Sequence, residues 1–188
     1  MRIVGGEFRG KKLILPDDTR IRPTSDRTRE ALFNILGHDS HFRTPQGALP
    51  LGARVLDIFA GTGALGLEAL SRGAAHVTFI DNHPDSLKLI RENVSAIGAA
   101  RQADVLSRNG SNPGRAGATY DLILMDPPYN EGLAPQCISA LKAGGWMSSS
   151  TVIVIELAAK ETFDLPPDMV TIKERKYGAA RLIFLKSA

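Results

Sequence analysis

After residue 52 the apolar residues occur in short runs that alternate with amphipathic stretches. Runs typical of buried strands are "ARVLDIFA", "HVTFID", "YDLILMD" and "TVIVIEL", with a weaker one at "ARQADV". The segments "GALGLEALSRG", "PDSLKLIRENVSAIG" and "LAPQCISALKAGG" between them have helical spacing. This alternation predicts an α/β fold with a mostly parallel sheet between helices. The ending "MVTIKERKYGAARLIFLK" predicts an antiparallel hairpin at the sheet edge.

The segment before residue 52 has a different pattern. "RIVGGEFRGKKLIL" contains two apolar runs around a Gly-rich turn and predicts a β-hairpin. A helix is predicted next, with a cap among residues 24–26, an apolar face in "EALFNIL" and an end at Gly37. Residues 38–52 are predicted to form a loop. We therefore divide the chain into an extension, residues 1–50, and an α/β domain, residues 51–188.

Composition adds little to this picture. A length of 188 residues with 43% hydrophobic and 23% charged residues is typical of one globular domain. We see no apolar run that could span a bilayer and no signal-peptide pattern, so we expect a cytoplasmic protein without a membrane partner. Cys137 stands alone, which excludes an intrachain disulfide. We expect a monomer.

The charge is distributed unevenly. Residues 1–29 carry eight basic and four acidic residues, whereas the whole chain has a net charge of +3. Such a basic end indicates a polyanionic partner. The charge by itself is equally consistent with a surface that binds a polyanion and with an ordinary solvated surface. The basic residues are Arg2, Arg9, Lys11, Lys12, Arg20, Arg22, Arg27 and Arg29.

A glycine turn follows the first predicted strand of the α/β domain. Gly61, Gly63 and Gly66 form G-x-G-x-x-G between a strand and a helix, the context that a nucleotide-binding turn requires. Asp81 ends the next strand, where a carboxylate can accept hydrogen bonds from ribose hydroxyls. Asp57 precedes the turn and would repel a pyrophosphate but attract a cation. S-adenosylmethionine, which has an ammonium and a sulfonium but no phosphate, therefore suits this turn better than NAD.

The pattern from Asp57 to Gly63 resembles the first motif of Rossmann-like class I methyltransferases, whose sheet carries a late antiparallel strand. This resemblance implies S-adenosylmethionine as the cofactor and assigns further residues to its site. Asp104 would accept a hydrogen bond from the adenine amino group. The other residues assigned to the cofactor site are Phe59, Ala60, Asn82 and Val105.

A second motif, Asp126-Pro127-Pro128-Tyr129, ends the strand "LILM". An amine conjugated to a ring is a poor nucleophile, and acceptors aimed at its two N–H bonds make it more reactive. The Asp126 carboxylate and the Pro127 carbonyl can be those acceptors, because prolines fix the backbone and add no competing N–H. Tyr129 offers a ring on which a base can stack. The motif resembles that of methyltransferases acting on adenine N6, cytosine N4, guanine N2 or a glutamine amide.

Nearly the whole chain resembles one bacterial family, the 16S ribosomal RNA guanine-N2 methyltransferases (RsmD). The resemblance is carried by "RPTSDRTREALFNIL", "VLDIFAGTGALGLEALSRGA", "LILMDPPY", "RIVGGEFRGKKL" and "YGAARL". It implies methylation of one guanine in 16S rRNA, on the 30S subunit or an assembly intermediate. The implied substrate-binding residues are Pro128, Arg22, Thr24, Arg27 and Arg29 near the cleft, with Arg9, Lys11 and Lys12 on flanking RNA.

Two other functions are considered. A DNA adenine-N6 methyltransferase would need a target-recognition region, and only about fifty residues precede the α/β domain. A non-catalytic RNA-binding module would be expected to have lost the glycine turn or the second motif, and both are present. His38 and His41 lack further ligands nearby, so no metal site is expected. Residues 107–119 predict a flexible loop or a frayed helix.

Overall fold

The computed structural model describes residues 1–16 and 25–188. Its helices are α1 (Asp26–His38), α2 (Ala64–Ser71), α3 (Pro84–Ala96) and α4 (Leu133–Ala143). A two-stranded ladder contains β1 (Arg43–Thr44) and β2 (Gly47–Ala48). The main sheet contains β3 (Arg54–Ile58), β4 (His76–Asp81), β5 (Ala103–Ser107), β6 (Tyr120–Met125), β7 (Met147–Ala158), β8 (Met169–Tyr177) and β9 (Ala180–Ser187).

The main sheet has the strand order β5-β4-β3-β6-β7-β9-β8. Strands β3 to β7 pair in parallel, and β9 is antiparallel to both of its neighbours, β7 and β8. The predicted α/β class, the late antiparallel strand and the terminal hairpin are confirmed. The chain runs outward in opposite directions from β3 and β6, which makes their carboxyl ends the expected position of a ligand crevice.

Local sequence signals set the helix starts. The Ser25 hydroxyl accepts a hydrogen bond from the backbone N–H of Thr28 and so caps α1. Helix α1 ends at His38, one residue after the predicted Gly37. Pro84 begins α3 directly after the cap residue His83, where its missing N–H leaves no donor unsatisfied. These helices therefore begin where the sequence predicts them.

The amino-terminal hairpin is only partly formed. One antiparallel bridge joins Arg2 to Lys12, and the segment has no longer ladder. Gly5 and Gly6 lie in the predicted Gly-rich turn, which covers residues 5–10, and both also lie against α2. A Cβ atom at Gly6 would lie 1.8 Å from the carbonyl oxygen of Ser71, and its φ is +75°. These glycines allow the chain to approach α2 closely.

A buried carboxylate on α2 holds this segment in place. Glu68 is fully buried and accepts hydrogen bonds from the backbone N–H groups of Val4 and Gly5, at 2.9 and 2.8 Å. It also accepts from the Nε atoms of Arg29 on α1 and of Arg72, at 3.3 and 2.8 Å. Four donors from three parts of the chain thus surround one carboxylate, as a buried charge requires.

The amino-terminal residues share the core of the α/β domain. Ile3, Leu13 and Phe33 are buried in the same apolar cluster as Val55 of β3 and Phe79 of β4. The described part of residues 1–50 therefore does not enclose a core of its own, and the boundary at residue 50 stays a prediction. The predicted loop at 38–52 contains a 3-10 helix and the β1–β2 ladder.

The segment at 107–119 contains no helix, and side chains hold it in place. The Arg108 guanidinium donates hydrogen bonds to the carbonyls of Pro113 and Arg115, at 2.8 and 3.0 Å. The indole N–H of Trp146 donates to the Gly114 carbonyl at 2.8 Å. The helix alternative for this segment is therefore wrong. None of the described helices is long and apolar enough to cross a membrane.

Replacing Glu68 should destabilise the fold strongly. Glu68→Ala removes the buried carboxylate beside Arg29, leaving Arg29 with the partly exposed Asp26, and removes the acceptor of two backbone N–H groups. We expect a loss of about 3–5 kcal/mol in the free energy of unfolding, measured with denaturant. Glu92→Ala is the matched control, since Glu92 lies exposed on α3 and pairs only loosely with Lys88, at 3.9 Å. Similar losses in both variants would contradict this role of Glu68.

Candidate active site

A cavity of about 700 Å³ opens at the carboxyl ends of β3, β4 and β6. This volume lies in the range of small-molecule sites. No Lys or Arg is present among the described residues that line it. They are Pro16, Ser25, Thr28, Asp57, Phe59, Ala60, Gly61, Thr62, Ala64, Leu65, Asp81, Asn82, His83, Asp85, Ser86, Asp126, Pro127, Pro128, Tyr129, Glu156, Tyr177, Ala179 and Ala180.

The glycine turn connects β3 to α2 along one wall of the cavity. Phe59, Gly61 and Gly63 all have left-handed backbone conformations, with φ values of 63°, 54° and 76°. A bulky residue in this region is unusual and indicates a constrained turn. Gly66, the third glycine of the motif, lies against the sheet, because a Cβ there would lie 2.3 Å from the Phe79 ring. Gly66 permits α2 to pack on the sheet.

Asp81 lies at the cavity and holds the turn. One carboxylate oxygen accepts from the backbone N–H of Gly61 and the other from that of His83, each at 2.8 Å. A carboxylate has about four acceptor positions, so these bonds leave positions for ligand hydroxyls. His83, and not Asp81, is the residue that caps α3.

Asp57 is buried beneath the turn and lines the cavity. It accepts a hydrogen bond from the backbone N–H of Gly66 at 2.8 Å. Burial raises the pKa of Asp57 to about 8, with a smaller contribution from the nearby charge of Asp81 and an opposing one from the Gly66 bond. The side chain is therefore mainly protonated at neutral pH in this structure. A cation in the cavity would favour its ionised form.

The structure contradicts the assignment of Asp104 and Val105 to the cofactor site. Asp104 lies near the amino end of β5, opposite Thr78, and accepts from His76 Nε2 at 2.9 Å. Val105 packs its side chain on the apolar core. The carboxyl end of β5 is Ser107, which pairs with Asp81. At about 3.3 Å per residue, Asp104 is about 10 Å from that edge.

The second motif also lines the cavity. Asp126 is half-buried, Pro127 is buried, and Pro128 is exposed. The Tyr129 hydroxyl donates a hydrogen bond to an Oε atom of Glu156 at 2.9 Å. The predicted stacking role of Tyr129 did not include this bond.

Glu156 is a cavity residue that the sequence interpretation missed. It is buried near the carboxyl end of β7, one residue after the pair formed by Ile155 and Met125. This register places Glu156 beside Asp126. A signal existed in the sequence, because Glu156 is the one acid in the apolar run "TVIVIEL".

The structure separates the predicted RNA-binding residues into two groups. Arg29 is fully buried and bonded to Glu68, Asp26 and the Arg2 carbonyl, so the assignment of Arg29 to RNA contact is wrong. A buried guanidinium that is fully engaged by the protein cannot reach a phosphate. Arg27 is exposed on α1, and the amino-terminal residues Arg9, Lys11 and Lys12 are exposed as well.

Two of the predicted substrate-binding residues, Arg22 and Thr24, lie outside the described residues, and the assignments made for them stay predictions. Helix α1 nevertheless contributes Thr28, and its cap residue Ser25, to the cavity wall.

Within residues 1–16 and 25–188 there is no group of three metal-ligating side chains. Burial raises the pKa of Cys137 to about 12, so this thiol is not a nucleophile.

Comparison with known proteins gives a consistent result. Residues 1–186 match the family described as Conserved hypothetical protein 95. The Ribosomal RNA small subunit methyltransferase D of Escherichia coli K12 is 37% identical over 156 residues, which cover 83% of this chain and 74% of the relative. The enzyme of the same name from Haemophilus influenzae is 31% identical over 182 residues, covering 95% and 89%.

A solved structure supports the same relationship. The protein yhhF from Escherichia coli superposes with a TM-score of 0.81 at 33% sequence identity. The superposition covers 100% of this chain and 97% of that one. The similarity therefore includes the amino-terminal segment as well as the sheet.

The raised pKa of Asp57 predicts a specific pH dependence of stability. Its folded-state pKa of about 8 exceeds its usual value of 3.8. The folded chain therefore binds the proton more tightly, and this contribution to stability is lost as the pH rises toward 8. Between pH 6 and 8 the wild type should lose about 2 kcal/mol relative to Asp57→Asn, measured by denaturant unfolding.

Asp164→Asn, at an exposed position, is the control and should follow the wild type across this pH range. Parallel stability curves for the wild type and Asp57→Asn would show that the Asp57 pKa is not raised.

Proposed function

Because the chain belongs to the Conserved hypothetical protein 95 family, we propose that it transfers a methyl group from S-adenosylmethionine to the exocyclic N2 amine of a specific guanine in 16S rRNA. The observation that carries this proposal is that one cavity is lined both by the glycine turn with Asp81 and by Asp126 with Pro127. The relatives named Ribosomal RNA small subunit methyltransferase D support the choice of substrate.

The cavity suits S-adenosylmethionine in its chemistry. Its described lining contains five acids, which are Asp57, Asp81, Asp85, Asp126 and Glu156, but no Lys or Arg. This composition favours a cation over a pyrophosphate. Asp81 would accept from the ribose hydroxyls, and the turn at Gly61 and Gly63 would let the ligand approach the backbone. The cofactor supplies a methyl group that its positively charged sulfur makes electrophilic.

The protein groups act on the target amine. Asp126 and the Pro127 carbonyl would accept from the two N–H bonds of N2, which frees the nitrogen lone pair for attack on the methyl carbon. The amine would take the methyl group from the cofactor and give up one proton, which Asp126 would accept. Tyr129 would stack on the base. Positioning and fixed acceptors thus supply the catalysis.

Ribosomal RNA also suits the surface of the protein. Arg9, Lys11, Lys12 and Arg27 are exposed and can contact phosphates, which set the position of the RNA without reading its sequence. The target base would leave its stack to enter the cavity. We therefore propose the 30S subunit or its assembly intermediate as the partner, in the cytoplasm, with the protein acting as a monomer.

Two alternatives have less support. A DNA adenine-N6 methyltransferase would use the same cavity, but the names of the relatives favour rRNA. A non-catalytic RNA-binding module would not need both Asp81 and Asp126 in one cavity.

The product tests the proposed function. Incubation with S-adenosylmethionine and 30S particles lacking the modification should yield N2-methylguanosine, identified by mass spectrometry of digested 16S rRNA. Asp126→Ala should reduce the rate by at least about 100-fold, because the target amine then lacks an acceptor, while calorimetry shows nearly unchanged cofactor affinity. The exposed Glu131→Gln is the control and should keep full activity. N6-methyladenosine as the only product would contradict the guanine assignment.

The exposed basic residues should contribute to RNA affinity through phosphates. The triple variant Arg9→Gln, Lys11→Gln, Lys12→Gln should bind 16S rRNA more weakly. Its plot of log affinity against log salt should be shallower by roughly 0.7–0.9 for each phosphate that the variant no longer neutralises. Cofactor affinity should not change, because none of the three side chains lines the cavity.

The charge-matched control neutralises Arg101, Arg115 and Lys142, which are exposed outside the amino-terminal segment. Equal salt slopes for this control and the triple variant would show that the amino-terminal residues do not bind phosphate.

A further inference from the structure

Glu156 and Asp126 form a pair of acids at the wall of the cavity that carries the second motif. Both line the cavity, and the parallel register of β6 and β7 places them side by side. Glu156 is only 4% exposed, although a glutamate rarely occupies such a buried position without a specific role. The mechanism proposed above uses Asp126 and leaves Glu156 without a function.

Tyr129 connects the two acids to the place of the target base. Its hydroxyl donates to Glu156, so the tyrosine ring and the carboxylate are held as one unit. Consider a base that stacks on Tyr129 and places its exocyclic amine at Asp126. The ring nitrogen next to that amine would then lie near Glu156. Whether the Glu156 carboxylate stabilises the bound base depends on whether this ring nitrogen donates or accepts a hydrogen bond.

Guanine and adenine differ at this edge. In guanine, the ring atom N1 beside the N2 amine carries a proton and is a donor. In adenine, the N1 atom beside the N6 amine has a lone pair and is an acceptor. A carboxylate accepts hydrogen bonds only, so it would attract the first base and repel the second.

We propose that Glu156 is the residue that selects guanine, by accepting a hydrogen bond from N1–H while Asp126 and Pro127 engage N2. This inference rests on the proposed function and adds the basis of its base specificity. Glu156 would thus be a specificity-determining residue of the target pocket. Removing the acceptor of a buried N–H typically lowers affinity for the transition state by roughly 10- to 100-fold.

The test compares three bases at the target position of the RNA. 2-Aminopurine keeps the amine but lacks N1–H, and 7-deazaguanine keeps both groups and serves as the control base. The wild type should methylate guanine and 7-deazaguanine with similar kcat/KM and 2-aminopurine roughly 10- to 100-fold less efficiently. Glu156→Ala should lower kcat/KM on guanine toward the value on 2-aminopurine, so that the ratio between the two bases falls to near one.

Two further variants separate recognition of N1–H from support of Tyr129. Glu156→Gln keeps the size and one acceptor oxygen, and should retain part of the preference for guanine. Tyr129→Phe removes the bond to Glu156 but keeps the carboxylate, so the preference should persist even if kcat/KM falls. Equilibrium binding of the same RNAs, followed by 2-aminopurine fluorescence and by competition, should show the same ratios independently of turnover.

The outcomes are distinct. An unchanged guanine to 2-aminopurine ratio in a folded, cofactor-binding Glu156→Ala protein overturns the role of Glu156 and leaves the proposed function intact. If Glu156→Ala does not fold, the other proteins decide. Equal kcat/KM of the wild type on guanine and 2-aminopurine overturns the proposal. A guanine to 2-aminopurine ratio of kcat/KM that is lower in Glu156→Gln than in the wild type supports it. Methylation of adenosine but not guanosine in 16S rRNA by the wild type overturns both proposals.

Discussion

The arrangement of the cavity depends on the buried carboxylate of Glu68. This side chain lies on α2, the helix that begins at the glycine turn, and a buried charge of this kind is stable only when donors surround it. Its donors come from the amino-terminal segment, from Arg29 on α1 and from Arg72. The same carboxylate therefore fixes α1 next to the turn, where Thr28 and the cap residue Ser25 form part of the cavity wall.

The cavity itself is defined by acids on neighbouring strand ends. Asp57, Asp81, Asp126 and Glu156 belong to four adjacent parallel strands, because each lies near or just beyond the carboxyl end of β3, β4, β6 or β7. Carboxylates in one cavity repel one another, which contributes to the raised pKa of Asp57. A cationic methyl donor and the N–H groups of a base would relieve this repulsion, so the acids favour the ligands of the proposed reaction.

The basic residues lie on the surface, outside the cavity that the acids line. Arg9, Lys11 and Lys12 are exposed on the amino-terminal segment and do not line the cavity. This arrangement separates two tasks, since cations on the surface can contact phosphates while acids inside accept from a base. Arg29, on α1, shows that a predicted RNA-binding residue can instead be structural, because the buried Glu68 carboxylate needs a charged partner inside the protein.

The sequence alone determined the order of strands and helices, the glycine turn and the second motif, because periodicity, caps and turn residues act over a few neighbouring positions. The tertiary structure decided what depends on distant residues. It assigned Arg29 to Glu68, 39 positions away, and placed Glu156 beside Asp126 through strand register. It also showed that Asp104 lies away from the cavity. The distance of a residue from the carboxyl end of its strand depends on how that strand pairs with its neighbour, which the sequence of the strand does not specify.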